Sequence, residues 1–174
     1  MKKVEDYVRN IPDFPEKGIM FRDVTSVLQD ADGFQLAVDE MTKLLEGLDF
    51  DVIVGAESRG FIFGAPIAYK LHKPLILCRK KGKLPCETVS QEYSLEYGTA
   101  TIEMHKDSIK KGQKVVIIDD LIATGGTVGA TISLVEKLGG EVVKLVFLME
   151  LAGLKGREFL KGYDVASVVC YPGK

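Results

Sequence analysis

The chain has 174 residues, 46% of them apolar and 28% charged, enough for one full hydrophobic core and typical of a soluble globule. A net charge of −2 and a pI near 5.8 leave no basic footprint for nucleic acid, and the longest mostly apolar stretch, GFIFGAPIAY, is too short to span a bilayer. Three cysteines without CxxC spacing (Cys78, Cys86, Cys170) and a start, MKKVEDYVRN, with no apolar run fit a reducing, cytoplasmic setting without a secretory leader or membrane partner.

Taken in chain order, IPDFPEKGIMFRD (11–23) reads as irregular, with two prolines and a glycine around two phenylalanines. Phe34, Val38, Met41 and Leu45 then recur at helical spacing. DVIVGA (51–56) is short, apolar and without polar alternation, the pattern of a strand buried on both faces. GFIFGAPIAYKLH (60–72) is apolar nearly all round and predicts a well-buried helix. PLILC (74–78) predicts a second buried strand. Residues 81–105 break the pattern with Gly, Pro and polar residues, then alternate as a hairpin does in TATIEM; so long an excursion predicts a functional or mobile lid. KVVIID (114–119) is a third strand and VVKLVFLM (142–149) a fourth. Between them Val128, Ile132, Val135 and Leu138 mark a helix that ends at Gly139-Gly140. The alternation predicts one α/β domain over 1–174: an open, mainly parallel twisted sheet flanked by helices, with a β-hairpin lid.

The stretch VVIIDDLIATGGT (115–127) joins a buried strand, two adjacent acids and a Thr-Gly turn. A capped turn is one reading, since Asp and Thr favour such places. Three nucleotide patterns fail or fit poorly. GAESRG has P-loop glycine spacing but lacks the lysine, GxGxxG is missing, and TGGTVG sits too late for a dinucleotide sheet. A ribose 5-phosphate suits the stretch better. Amides of Ala123, Thr124, Gly125, Gly126 and Thr127 at a helix start can donate to phosphate oxygens, while Asp119 and Asp120 can accept from vicinal sugar hydroxyls. Those acids also hold negative charge where glycosyl transfer develops positive charge.

The same stretch closely resembles the 5-phosphoribosyl 1-pyrophosphate (PRPP) binding motif of type I phosphoribosyltransferases. PDFPEKGIMFRD, ESRGFIFGAP, RKKGKLP and EYSLEYG, with LMELAGLKGRE near the C-terminus, narrow the resemblance to the adenine phosphoribosyltransferases over almost the whole chain. Glu57 stands where some members have Asp. The resemblance implies the substrates adenine and PRPP, Mg²⁺ held mainly through PRPP rather than by a protein metal site, and a cytoplasmic homodimer. It implies pyrophosphate contacts at Glu57, Ser58, Arg59, Arg79 and Lys83, with a cis peptide around Glu57–Ser58. For Lys80, Lys81 and Lys83 a solvated surface role stays equally open.

Phe21 resembles the ring that stacks on the purine, with the main chain of Met20 and Arg22 reading the adenine edge. Leu121 either lines the other face of the base or simply packs. Glu96 matches the loop glutamate that handles the purine proton, a suitable role for a carboxylate desolvated by lid closure. His72 and His105 stand alone, without a second ligand at metal spacing. Two rival functions remain: the same transfer to another base, such as hypoxanthine, xanthine or orotate, and a non-catalytic PRPP-sensing regulator. A regulator normally carries an added DNA-binding segment, for which 174 mildly acidic residues leave no room.

Overall fold

In the computed structural model, residues 1–95 and 97–173 are described. A small antiparallel pair opens the chain, β1 (Arg9–Pro12) with β2 (Met20–Asp23), in the register Ile11↔Phe21 and Pro12↔Met20. The segment expected to be irregular is therefore a hairpin, and its turn is tied by the Asp13 carboxylate accepting from the Gly18 amide at 2.7 Å. Asp23 then accepts from the Thr25 amide and hydroxyl, starting the single turn α1 (Thr25–Leu28). Asp30 caps α2 (Ala31–Lys43) through the amides of Asp32 and Gly33.

The main sheet has seven strands: β3 (Val52–Ala56), β4 (Leu75–Lys80), β5 (Thr88–Ser94), β6 (Thr99–His105), β7 (Lys114–Ile122), β8 (Glu141–Leu151) and β9 (Val165–Tyr171). Its order is β5-β6-β4-β3-β7-β8-β9. The run from β4 to β9 is parallel, and the β5–β6 hairpin adds an antiparallel edge through Arg79↔Glu103 and Lys80↔Ile102. The expected α/β architecture is thus present, with residues 81–105 built into the sheet edge rather than lying apart from it.

Alternate residues of the central strands feed two cores. On one face Ile53, Val116, Ile118, Val146 and Leu148 meet α2 and α3 (Arg59–Leu71) through Met41, Phe63 and Ile67. On the other, Val54, Val115, Ile117, Leu145 and Phe147 meet α4 (Gly126–Lys137) through Leu134 and Val135. Each fully buried side chain of this size contributes about 1.5–3 kcal/mol, which explains why these strands carry no polar alternation.

Several boundaries differ from the sequence reading. β7 does not end on the acids but runs through them to Ile122, because Leu121 and Ile122 still pair with Met149 and Glu150 of β8. β4 extends to Lys80, where β6 supplies its last partners. Leu45 and Leu138 lie just past their helices, although Leu45 is still buried. β9 adds a strand at the sheet edge that the sequence reading lacks. The helix expected to be well buried leaves one face open: Ile62, Ala65 and Tyr69 are exposed on α3. Among the described residues no helix is long and apolar enough to cross a membrane.

Candidate active site

The C-terminal ends of parallel strands gather the candidate residues, as expected for an open α/β sheet. β3 and β7 are direct neighbours, with Gly55 opposite Ile118. The residues that follow β3 (Glu57, Ser58, Arg59) therefore face Asp119 and Asp120 across one sheet edge. All five line a cleft of about 430 Å³, together with Lys80 and the continuous run from Leu121 to Val128.

Asp120 is buried, 4% exposed, and its Oδ2 lies 2.6 Å from Arg59 Nε, a charge contact without an aligned hydrogen bond. Asp119 is half-buried and accepts from the Asp120 amide at 2.8 Å. Loss of solvent around Asp119, followed by the adjacent Asp120 charge, pushes its carboxyl well above the ordinary aspartate range. Two adjacent carboxyl groups are thus held with Arg59 beside Asp120, placed to accept from hydroxyl donors.

Beyond the acids the chain turns on Gly125, whose φ of +89° lies in the left-handed region where a side chain is strained. α4 starts at the next residue, and no side chain caps it. The first amides of a helix lack internal partners and sit at the positive end of its dipole, so they suit an anion. The hydroxyls of Thr124 and Thr127 flank the same wall.

The predicted pyrophosphate residues divide. Glu57, Ser58 and Arg59 reach the cleft, and the Glu57–Ser58 peptide is cis. Arg79 and Lys83 do not line it. Arg79 turns its Nε to Glu57 Oε2 at 3.4 Å and donates from Nη1 to the Lys83 carbonyl at 3.3 Å. Its neighbour Lys80 takes the lining position, because successive strand residues point to opposite faces. Burial works against charge on Glu57, but the Lys80 amide (2.7 Å) and the Arg79 guanidinium outweigh it and hold the carboxyl below its usual range.

A second cavity of about 310 Å³ adjoins the first and shares Arg59, Asp120 and Leu121 with it. Its other walls include Ile11, Phe14, Phe21, Arg22 and Met149. Phe21 meets Phe14 edge-to-face at 5.1 Å between ring centroids. Met20 is exposed and does not line this cavity. Arg22 uses its side chain elsewhere, donating to Asn10 Oδ1 at 2.5 Å and lying 4.1 Å over the Tyr171 ring. Phe14 was present in the quoted N-terminal motif but not singled out. Ile11 and Met149 carried no signal beyond hydrophobicity.

The β5–β6 hairpin leans on α4, where Lys137 Nζ donates to the Ser90 carbonyl and Gln91 Oε1, both at 2.9 Å. Tyr93 brings its hydroxyl to 3.5 Å from Thr127 Oγ1. Glu96, the expected proton acceptor, lies outside the described residues. Cys78 is packed beside Thr131, and burial pushes its thiol up to about 12, so it stays protonated and serves as core.

A family model described as a phosphoribosyl transferase domain matches residues 28–170. The chain is 74% identical to the adenine phosphoribosyltransferase of Agathobacter rectalis, over the full length of both. Among solved structures it resembles the adenine phosphoribosyltransferase of Thermoanaerobacter pseudethanolicus, with 52% identity, a TM-score of 0.92 and coverage of 97% of this chain and 98% of that one. It also resembles the Saccharomyces cerevisiae enzyme complexed with an imino-altritol bisphosphate and adenine, at 38% identity and TM-score 0.90, covering 95% and 96% of the two chains.

Proposed function

The chain belongs to the phosphoribosyltransferase family, among its adenine phosphoribosyltransferases, and from that premise we propose how its two joined cavities carry the reaction. The activity is transfer of the 5-phosphoribosyl group from PRPP to adenine, giving AMP and pyrophosphate. The observation that carries the assignment of roles is the shared wall at Arg59, Asp120 and Leu121. It lets a ribosyl group bridge a polar cleft and an apolar slot, with C1′ at the junction.

In this reading residues 123–127 take the 5′-phosphate on free amides and hydroxyls. Asp119 and Asp120 accept the two ribose hydroxyls. Glu57, Ser58, Arg59 and Lys80 face the pyrophosphate, with Arg79 and Lys83 supporting that wall from behind. PRPP offers Arg59 an anion and Asp120 hydroxyl donors, so one internal ion pair is exchanged for two substrate contacts. Phe21 stacks on adenine opposite Leu121, and the main chain of Met20 and Arg22 reads its edge. The C1′–O bond to pyrophosphate breaks as N9 bonds to C1′, and the N9 proton passes to Glu96. The bond electrons leave with pyrophosphate, and the acids stabilise the cationic ribosyl group between.

Among the described residues no cluster of three or more His, Cys, Asp or Glu is arranged to hold a metal. The adjacent carboxylates nonetheless fit a hard cation such as Mg²⁺ that keeps most of its oxygens from substrate and water. Such an ion, when bound, supplies charge neutralisation to the departing pyrophosphate. The exposed apolar face of α3 (Ile62, Ala65, Tyr69) supports a homodimer. We also read 1–174 as one domain working in the cytoplasm. The test is formation of the matching nucleoside 5′-monophosphate, and of pyrophosphate, from PRPP with adenine, hypoxanthine, xanthine or orotate, with and without Mg²⁺. AMP from adenine alone, dependent on Mg²⁺, is expected; equal use of another base would reject the base-slot assignment.

A further inference from the structure

The loop 123–127 has a front, open to the cleft, and a back. Against the back lies α5 (Gly156–Phe159), a single helical turn. The approach is close. A Cβ on Gly156 would stand 2.6 Å from the Ala123 carbonyl oxygen and 2.8 Å from the Ile122 side chain. A Cβ on Gly125 would meet Phe159 at 3.1 Å and the Gly156 carbonyl at 3.3 Å. Phe159 also covers Gly129, in the first turn of α4, leaving 2.7 Å for a Cβ there. One turn of helix therefore touches the loop at its entry and its bend, and the first turn of α4 that follows.

A four-residue helix has too few internal hydrogen bonds to hold itself in place. Arg157 supplies the anchor. Its Nε and Nη2 donate to the Glu150 carboxylate at 2.8–2.9 Å, and its Nη1 donates to the Val165 carbonyl at 2.5 Å. Ser167 donates to the same carboxylate at 2.9 Å. Glu150 is 5% exposed and pairs in register with Ile122, the last residue of β7 before the loop. Neither Arg157 nor Glu150 lines either cavity. The fork between them is bidentate, so a lysine cannot reproduce it.

We propose that Arg157 and Glu150 are positioning residues for the 5′-phosphate of PRPP: their ion pair clamps α5 behind residues 123–127 and so fixes the spacing of the amides that hold the phosphate. The proposal rests on the reading of 123–127 as the phosphate cradle. Its consequence is selective. Loosening α5 spoils the cradle without touching the base slot or the pyrophosphate wall.

Three variants test this: Arg157→Lys, which keeps the charge but loses the fork; Phe159→Ala, an exposed ring whose loss leaves the core intact; and Thr127→Val in the loop itself. The readouts are KM for PRPP, KM for adenine, kcat, and calorimetric Kd for ribose 5-phosphate and for pyrophosphate. Small misplacements remote from the chemistry cost up to ~100-fold, so Arg157→Lys is expected to raise the ribose 5-phosphate Kd and PRPP KM by about tenfold, and Phe159→Ala by less. Adenine KM and pyrophosphate Kd stay within about twofold. A purely structural role would lower the active fraction and melting temperature and leave these constants alone. Ribose 5-phosphate affinity unchanged in both Arg157→Lys and Phe159→Ala, but weakened in Thr127→Val, overturns the clamp alone. Unchanged affinity in Thr127→Val as well overturns the cradle reading and the clamp together.

Discussion

The phosphate loop and the base slot adjoin one another, yet they are built in opposite ways. The loop leaves β7, an interior strand of a seven-stranded sheet between β3 and β8, with cores on both faces and α5 behind it. The base slot borrows one wall from that sheet and makes the other from β1–β2, a two-stranded pair outside it. Few contacts tie the pair down. Among them are Arg22 with Asn10 and the Tyr171 ring, and Ser26 Oγ, which accepts from the Arg9 amide at 2.8 Å and donates to the Tyr7 carbonyl at 2.7 Å. In the proposed reading, the part of the substrate shared by every phosphoribosyl transfer falls to a loop backed by the sheet and α5. In the same reading, the base falls to a slot walled partly by a small hairpin outside that sheet.

The largest expected effect belongs to neither region. Glu96→Gln removes the group assigned to take the N9 proton, and general acid–base catalysis is typically worth ~10²–10⁴-fold. Single-turnover rates with both substrates preloaded should fall by that order while PRPP affinity stays near wild type. A rate within about twofold of wild type removes Glu96 from the mechanism and returns the whole barrier to the two regions.

Next come the acids on the sheet side. If Asp120 accepts from the ribose as proposed, Asp120→Asn weakens charged hydrogen bonds each worth about 1.5–3 kcal/mol, so PRPP KM should rise by roughly tenfold or more. Adenine KM should stay put. An equal rise in both constants would erase the contrast between the regions.

Phe21→Ala probes the hairpin side. Loss of a base–aromatic stack is worth about 1–3 kcal/mol in nucleic-acid complexes, taken here as a scale. Adenine affinity should weaken and ribose 5-phosphate affinity should not, as read by calorimetry. Native adenine affinity would make the ring plain packing against Phe14.

The smaller effects concern fine structure. Arg22→Gln leaves unchanged the main chain proposed to read adenine, so the preference for adenine over hypoxanthine should hold. Loss of the ring contact with Tyr171 should lower hairpin stability by about 0.5–2 kcal/mol, visible as faster amide exchange in β1–β2. Asp119 offers a pH test of the ligand-free protein. Its carboxyl titrates well above the ordinary aspartate value, so its contribution to stability is full below that value and is lost as pH rises through the raised one. Asp119→Asn should therefore stabilise the protein at neutral pH and flatten this slope in thermal melts. An unchanged slope would mean Asp119 ionises freely.

Much of the sheet side was legible in sequence because one continuous stretch, 115–127, carries strand, acids, turn and helix start. Its one misreading, a strand ending at the acids, came from weighing charge above the apolar Leu121-Ile122 that follows. The resemblance implies Arg79 as a pyrophosphate contact, yet its guanidinium turns to Glu57 and the Lys83 carbonyl while Lys80 lines the cleft. The open face of α3 could not be told from a buried one, since both are apolar. The clamp behind the loop was hidden for a different reason. Gly156 and Arg157 lie some thirty residues beyond Gly126, and only the β7–β8 register brings Glu150 beside Ile122.

The most direct test of the divided site is a crystal structure of the protein with AMP. The phosphate should lie on the amides of 123–127, both ribose hydroxyls on Asp119 and Asp120, and the adenine ring against Phe21, bridging the two cavities at Arg59 and Leu121. An AMP whose phosphate sits against Arg59 and Lys80, or whose base lies outside the Phe21 slot, would contradict the account.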